Sequence, residues 1–111
     1  MARRTRSIVV ASVAVLLVAS ASAAGNLSVF QVDTTVDKPD AQIDGVCADV
    51  DGHCTLRAAI QEANAHPGQD VINIIGAKKQ KFPLKVVGAD EDAAATGDLD
   101  ITDDVIIHGN Q

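Results

Sequence analysis

The sequence predicts an exported, mainly β domain with one short amphipathic helix and one disulfide bond. Short runs rich in Val and Ile, such as DVINII and DVIIHG, are separated by turns containing Gly, Asp and Lys, which is the pattern of short strands. A single stretch, CTLRAAIQEANAHPG, has helical periodicity. The chain contains two cysteines, and both follow an apolar leader that predicts an oxidising compartment.

The first 23 residues have the order of a secretory signal peptide. The basic MARRTRS precedes the apolar run IVVASVAVLLVA and the small residues SASAAG. Ala21-Ser22-Ala23 fits an A-x-A cleavage site, so the mature chain is expected to start at Ala24. The apolar run is shorter than the roughly 20 residues of a membrane-spanning helix. The prediction is therefore a secreted or cell-surface chain with no stable membrane span after cleavage.

The charge balance excludes nucleic acid as a partner. Three of the nine basic residues lie in the leader and all fifteen acidic residues follow it, so six against fifteen gives residues 24–111 a net charge of −9. Phosphate binding requires a basic surface. The basic cluster of Lys78, Lys79, Lys81 and Lys85 is interpreted as a solvated loop and strand edge.

The N-terminal part of the domain reads as a strand followed by a disulfide loop. NLSVFQVDTTV, from Asn26 to Val36, alternates apolar and polar residues, and DKPDAQIDG then breaks it. Cys47 and Cys54 are the only cysteines and are predicted to pair, which adds at most about 2.5 kcal/mol for so short a loop. A metal site at Cys47, His53 and Cys54 is disfavoured because it lacks paired C-x-x-C spacing.

The helix is predicted to begin after Thr55, a good N-cap residue. It is expected to end between Asn64 and Gly68, because Pro67 cannot continue it. Its apolar residues recur at i, i+3, i+4 and i+7, giving the narrow stripe of Leu56, Ala59, Ile60 and Ala63.

Four further strands are predicted beyond the helix: DVINII, FPLKVVG, GDLDI and DVIIHG. KVVG and IIHG end at Gly88 and Gly109, 21 residues apart, which is about the period of one solenoid coil.

CTLRAAIQEAN resembles the motif of the CSLREA domain, which opens exported bacterial right-handed parallel β-helix proteins of the pectate-lyase-like type. The resemblance extends through VFQVDTTVDKPDAQIDGVC before the motif and GADEDAAATGDLDITDDVIIHG after it. It implies that residues 24–111 form an N-terminal cap (strand, disulfide loop, helix) and the first coil or coils of a β-helix, incomplete at the C-terminus. The helix would then cover the hydrophobic end of the first coil, and the partners would be downstream coils of a longer chain.

Two motif positions carry separate expectations. Ala58 stands where the family has the Glu of a capping box, so restoring it by Ala58→Glu is expected to stabilise the helix start by up to about 1 kcal/mol. Arg57 matches the family Arg and is interpreted as a structural ion-pair partner for nearby acids such as Asp51.

The sequence predicts no catalytic residue and no cofactor. Ser28 is the only serine after the leader and lacks a G-x-S-x-G elbow, while His53, His66 and His108 are scattered. An Asp-rich segment offers paired carboxylates for calcium or glycosidase chemistry, although a solvated strand face and turn is the favoured interpretation. The calcium candidates are Asp98, Asp100, Asp103 and Asp104.

The predicted function is therefore a structural capping module of a secreted or cell-surface bacterial β-helix protein, without catalysis in this segment. One alternative is the N-terminal part of a polysaccharide lyase or hydrolase whose active site lies in further coils. A second is a small free-standing secreted binding protein. Surface polysaccharide is a further candidate partner, beside the downstream coils. Fold resemblance by itself does not assign an activity.

Overall fold

The computed structural model describes residues 26–89 and 91–110. Three strands and one helix follow in the order β1 (Val29–Val32), α1 (Leu56–Ala65), β2 (Asp70–Ile74) and β3 (Val105–His108). The predicted signal peptide and its cleavage site lie outside the described residues. Among the residues described, no helix is long and apolar enough to cross a membrane.

The strands form a parallel sheet in the order β1-β2-β3. Phe30 pairs in register with Ile72, and Ile72 pairs in register with Ile107. Because side chains alternate between the two faces of a strand, this register stacks three apolar side chains on one face. The prediction of a mainly β chain with one helix is confirmed at this level.

The core lies between this face of the sheet and the helix. Phe30, Val32 and Ile72 are buried there, and Ala59, Ile60 and Ala63 of α1 belong to the same apolar cluster. β3 is much less covered, since Ile106 and Ile107 are each 39% exposed. One edge strand of the sheet is therefore largely open to solvent.

The predicted first strand is too long. It was expected from Asn26 to Val36, but the ladder ends at Val32. Asp33 then turns to the disulfide loop, where its amide donates to the Cys54 carbonyl at 3.1 Å and its carboxylate accepts from the Cys54 amide at 3.0 Å. The chain leaves the sheet because a side chain and a loop take up its backbone hydrogen bonds.

The predicted strands FPLKVVG and GDLDI are wrong. Both segments lack ladder pairing in the described chain. In the first, the Asp37 carboxylate accepts the amides of Lys85 and Val86 at 2.5 and 2.8 Å. In the second, the carbonyls of Asp98 and Asp100 accept from side chains of the helix. Their backbone groups are thus satisfied by side chains from elsewhere, which no local apolar pattern reveals.

Candidate functional site

The disulfide loop lies directly before the helix. Cys47 and Cys54 are bonded, with Cα atoms 5.0 Å apart, which confirms the predicted bridge and excludes both thiols as metal ligands. Inside the loop, the buried Asp49 carboxylate accepts the amides of Asp51 and His53 at 2.9 and 3.0 Å. The loop is therefore a closed turn held by its own acidic side chain.

The Thr55 hydroxyl both accepts and donates a hydrogen bond at the start of the helix. Its Oγ1 accepts the Ala58 amide at 2.9 Å and donates to the Lys38 carbonyl at 2.5 Å. The first bond is the N-cap interaction expected from the sequence. The second ties the helix start to the segment after β1, so the N-terminus of α1 is covered rather than open to solvent.

The apolar stripe of the helix faces the core. Ala59, Ile60 and Ala63 are buried, and the half-buried Leu56 packs against the same cluster. The helix ends at Ala65, and the His66 amide donates to the carbonyls of Glu62 and Ala63 at 3.0 and 3.3 Å. Pro67 follows immediately, in agreement with the predicted end.

Arg57 is the centre of a buried polar network. Its guanidinium is fully buried and forms a two-point ion pair with the nearly buried Asp37, at 2.6 and 3.1 Å. It also donates to the carbonyls of Ala94 and Gly97 at 2.9 and 2.6 Å. The predicted structural ion pair exists, but the expected partner Asp51 is wrong, because Asp51 pairs with Lys38 at the surface.

The pKa of the Asp37 carboxyl lies below its ordinary value. Burial alone raises this pKa, but the hydrogen bond from Arg57, those from the amides of Val86 and Lys85, and the Arg57 charge together lower it. Asp37 is therefore a stably ionised structural anion. It is not suited to carry a proton in a reaction near neutral pH.

The four calcium candidates are not gathered into one site. Asp103 accepts the Asp104 amide at 2.8 Å, while Asp98 and Asp100 use their carbonyls to bind Arg57 and Asn64. Partial burial, and then the carboxylates of Asp98, Asp92 and Glu91, raise the pKa of Asp100. The segment is a turn packed on the helix, without convergent carboxylates among the residues described.

A different acidic cluster, not anticipated from the sequence, includes Glu62 of the helix. One carboxylate oxygen each from Asp40, Asp44 and Glu62 lie within 4.8 Å of one another. Burial, and then the charges of Asp40 and Asp44, raise the pKa of Glu62, against the opposing hydrogen bonds from the amides of Asp44 and Gly45. These residues could hold a metal ion, but calcium needs six to eight oxygen ligands and several of these oxygens already accept backbone amides.

A second unanticipated constellation joins Ser28, His66 and Asp70. Ser28 Oγ lies 3.4 Å from His66 Nε2, and His66 Nδ1 lies 2.8 Å from Asp70 Oδ1. The same carboxylate oxygen accepts the Ser28 amide at 3.0 Å. Ser28 is 42 residues from Asp70 in sequence, and only the parallel pairing of β1 with β2 brings them together. No local motif signals it.

Comparisons with protein-family models, with curated proteins and with solved structures found no match for this chain.

Proposed function

We propose that residues 24–111 are a structural capping module at the start of a right-handed parallel β-helix in a secreted or cell-surface bacterial protein, as the resemblance to the CSLREA domain implies. The observation that carries the proposal is the strand arrangement. Three consecutive strands pair parallel in sequence order, with Phe30, Ile72 and Ile107 in one register. Successive coils of a solenoid produce this arrangement because each strand lies beside the next one along the chain.

The distribution of buried surface supports a direction for the stack. β1 and β2 are covered by the helix, whose apolar stripe packs on Phe30, Val32 and Ile72. β3 has an exposed row of apolar residues and an unpaired edge in the described part of the chain. An open parallel edge is a template for another strand. The helix would then cap the first coil, and β3 would be the edge beside which the next coil lies.

The polar network supports a structural role for Arg57 and for the disulfide in this chain. Arg57 links the helix to the segments at Asp37 and at Ala94 to Gly97, and the disulfide closes the loop that precedes the helix. These contacts hold the connections between strands in place. The proposal assigns the helix and its arginine to stability of the first coils.

The test is to compare residues 24–111 with a chain extended by the coils that the proposal places downstream. The short chain should self-associate or lose order at its β3 end, because this end lacks the neighbouring coil and roughly three or more repeats are needed before burial exceeds the entropy of ordering. The extended chain should unfold cooperatively in thermal denaturation. A short chain that is monomeric by sedimentation, with one sharp thermal transition, would contradict the proposal and favour a self-sufficient small domain.

A further inference from the structure

The side chains of Ser28, His66 and Asp70 lie in contact in series, as a hydroxyl, an imidazole and a carboxylate. We refer to these three residues as the Ser28–His66–Asp70 series. The Asp70 side chain is fully buried, whereas the His66 side chain is 28% exposed and Ser28 is half-buried. The Ser28 hydroxyl is thus reachable from solvent, whereas the Asp70 carboxylate is not. Three different elements hold the series: the residue before β1, the C-cap of α1 and the first residue of β2.

The carboxylate selects the form of the imidazole. Asp70 Oδ1 lies 2.8 Å from His66 Nδ1, and we assign Nδ1–H as the donor and the carboxylate oxygen as the acceptor. In the neutral imidazole, Nε2 is then the acceptor, and it is the nitrogen that faces Ser28 Oγ at 3.4 Å. This distance is long for a hydrogen bond, as such contacts often are before substrate binds.

The Asp70 carboxylate also acts on His66 through its charge. Asp70 Oδ2 is buried and has no hydrogen-bond partner among the residues described. A carboxylate in contact with an imidazole attracts a positive charge that forms on that ring during a reaction. An imidazolium formed at His66 would therefore be stabilised at the moment the serine loses its proton.

We propose that Ser28 is a nucleophile, that His66 is its general base and that Asp70 positions His66, so that the chain hydrolyses small esters. Ser28 Oγ attacks the ester carbonyl carbon and its proton passes to His66 Nε2. The C–O bond to the leaving alcohol then breaks as His66 returns that proton to the departing oxygen, leaving an acyl-serine. Water attacks the acyl-serine with His66 again as base, which releases the carboxylic acid and restores Ser28.

The surroundings of His66 indicate the class of ester. His66 lines an open cavity of about 320 Å³, whose wall also includes the acidic residues Asp44 and Glu62. Negative charge there disfavours an anionic acyl or alcohol group. Neutral or cationic esters are the expected substrates.

The test uses a fluorophosphonate probe on the full chain as secreted, followed by peptide mass spectrometry. Ser28 should carry the adduct, and it is the one serine beyond the leader, so the site is unambiguous. Labelling should disappear in Ser28→Ala and slow by about 100-fold or more in His66→Gln. His108→Gln, which changes an exposed histidine of β3, is the matched control and should label at the wild-type rate.

An unfolding control keeps the result decisive if a variant fails to fold. Wild-type chain in concentrated guanidinium should lose labelling, since the reactivity depends on the folded arrangement. Folded wild-type chain that gains no adduct, or that labels equally when unfolded, would overturn the proposal and leave the three residues a purely structural link. Hydrolysis of p-nitrophenyl acetate, absent in Ser28→Ala, should accompany labelling.

Discussion

Arg57 and Asp37 together join the helix to two segments that are distant in sequence. The pair is almost completely excluded from solvent, at 0% and 3% side-chain exposure. Charges removed from water are costly unless paired and fully hydrogen-bonded, and here the two side chains together satisfy backbone groups in two separate segments. Removing either partner leaves the other charge buried.

Asp37→Ala should therefore lower the free energy of unfolding by about 3–5 kcal/mol. Urea unfolding at low protein concentration, where association is weakest, measures the change. Asp51→Ala is the matched control: it removes the surface partner of Lys38 and should leave the urea midpoint unchanged. Equal effects of the two variants would contradict the assignment of Asp37 as the partner of Arg57.

The same pair predicts a pH dependence. Because the pKa of Asp37 is lowered in the folded chain from an ordinary value of 3.8, the unfolded chain binds more protons than the folded chain in acid. The contribution of Asp37 to stability is present above pH 3.8 and is lost as the pH falls through the folded pKa. The acid loss of stability should be smaller in Asp37→Asn than in wild type when unfolding is measured from pH 6 to about pH 2.

Ala58→Glu should destabilise the chain, contrary to the expectation from the capping-box motif. Ala58 is fully buried, and the neighbouring Thr55 ties the helix start to the segment at Lys38. A glutamate there must displace packed atoms or lose hydration, at about 1–3 kcal/mol. Ala65→Glu, at the exposed helix end, should cost only about 0.5 kcal/mol. A stabilised Ala58→Glu chain in urea unfolding would restore the motif-based expectation.

At the scale of elements, the turn from Glu91 to Asp98 is held by hydrogen bonds to its own Glu91 carboxylate and contacts the helix through Arg57. The Glu91 carboxylate accepts the amides of Ala93 and Thr96 at 2.8 and 2.9 Å, and these bonds help to hold the pKa of Glu91 below its ordinary value. The carbonyl of Gly97 is thereby presented to Arg57. The turn and the helix stabilise each other without any strand pairing between them.

Gly97→Ala tests the contact between this turn and the helix. Gly97 has φ +65°, and a Cβ there would lie 2.5 Å from the Gly88 carbonyl oxygen. The left-handed backbone costs an alanine about 1–2 kcal/mol, and the contact adds to it. Gly45→Ala has a similar φ of +86° but open space, so it should show the backbone cost alone. Gly109→Ala, with neither constraint, should be neutral in urea unfolding; a Gly97 effect no larger than that of Gly45 would argue against the close approach.

At the scale of the whole molecule, the open edge at β3 is expected to control self-association. Ile106 is 39% exposed and lies on the face opposite to Ile107. Ile106→Lys should reduce self-association of residues 24–111 in sedimentation without unfolding the chain, since a lysine on an edge strand opposes strand addition. Val29→Lys makes the same change on β1, the other edge strand, whose core-facing residues Phe30 and Val32 are buried, and should have little effect. The reverse ranking would place the growing edge at β1.

The sequence alone determined the features that depend on neighbouring residues. The bridge between Cys47 and Cys54, the cap at Thr55, the helix end before Pro67 and the strands around Ile72 and Ile107 follow from local chemistry and periodicity. Each involves hydrogen bonds or packing over a few residues.

Only the tertiary structure decided the features that need distant partners. Asp37 takes the backbone amides of a predicted strand 48 residues away, so FPLKVVG never joins the sheet. Arg57 binds carbonyls 37 and 40 residues away, and Ser28 meets His66 and Asp70 across the parallel register of β1 and β2. Composition and periodicity describe the apolar face of a segment, but they do not show which distant side chain satisfies its backbone groups. In this chain, the buried charges of Asp37 and Arg57 form those hydrogen bonds.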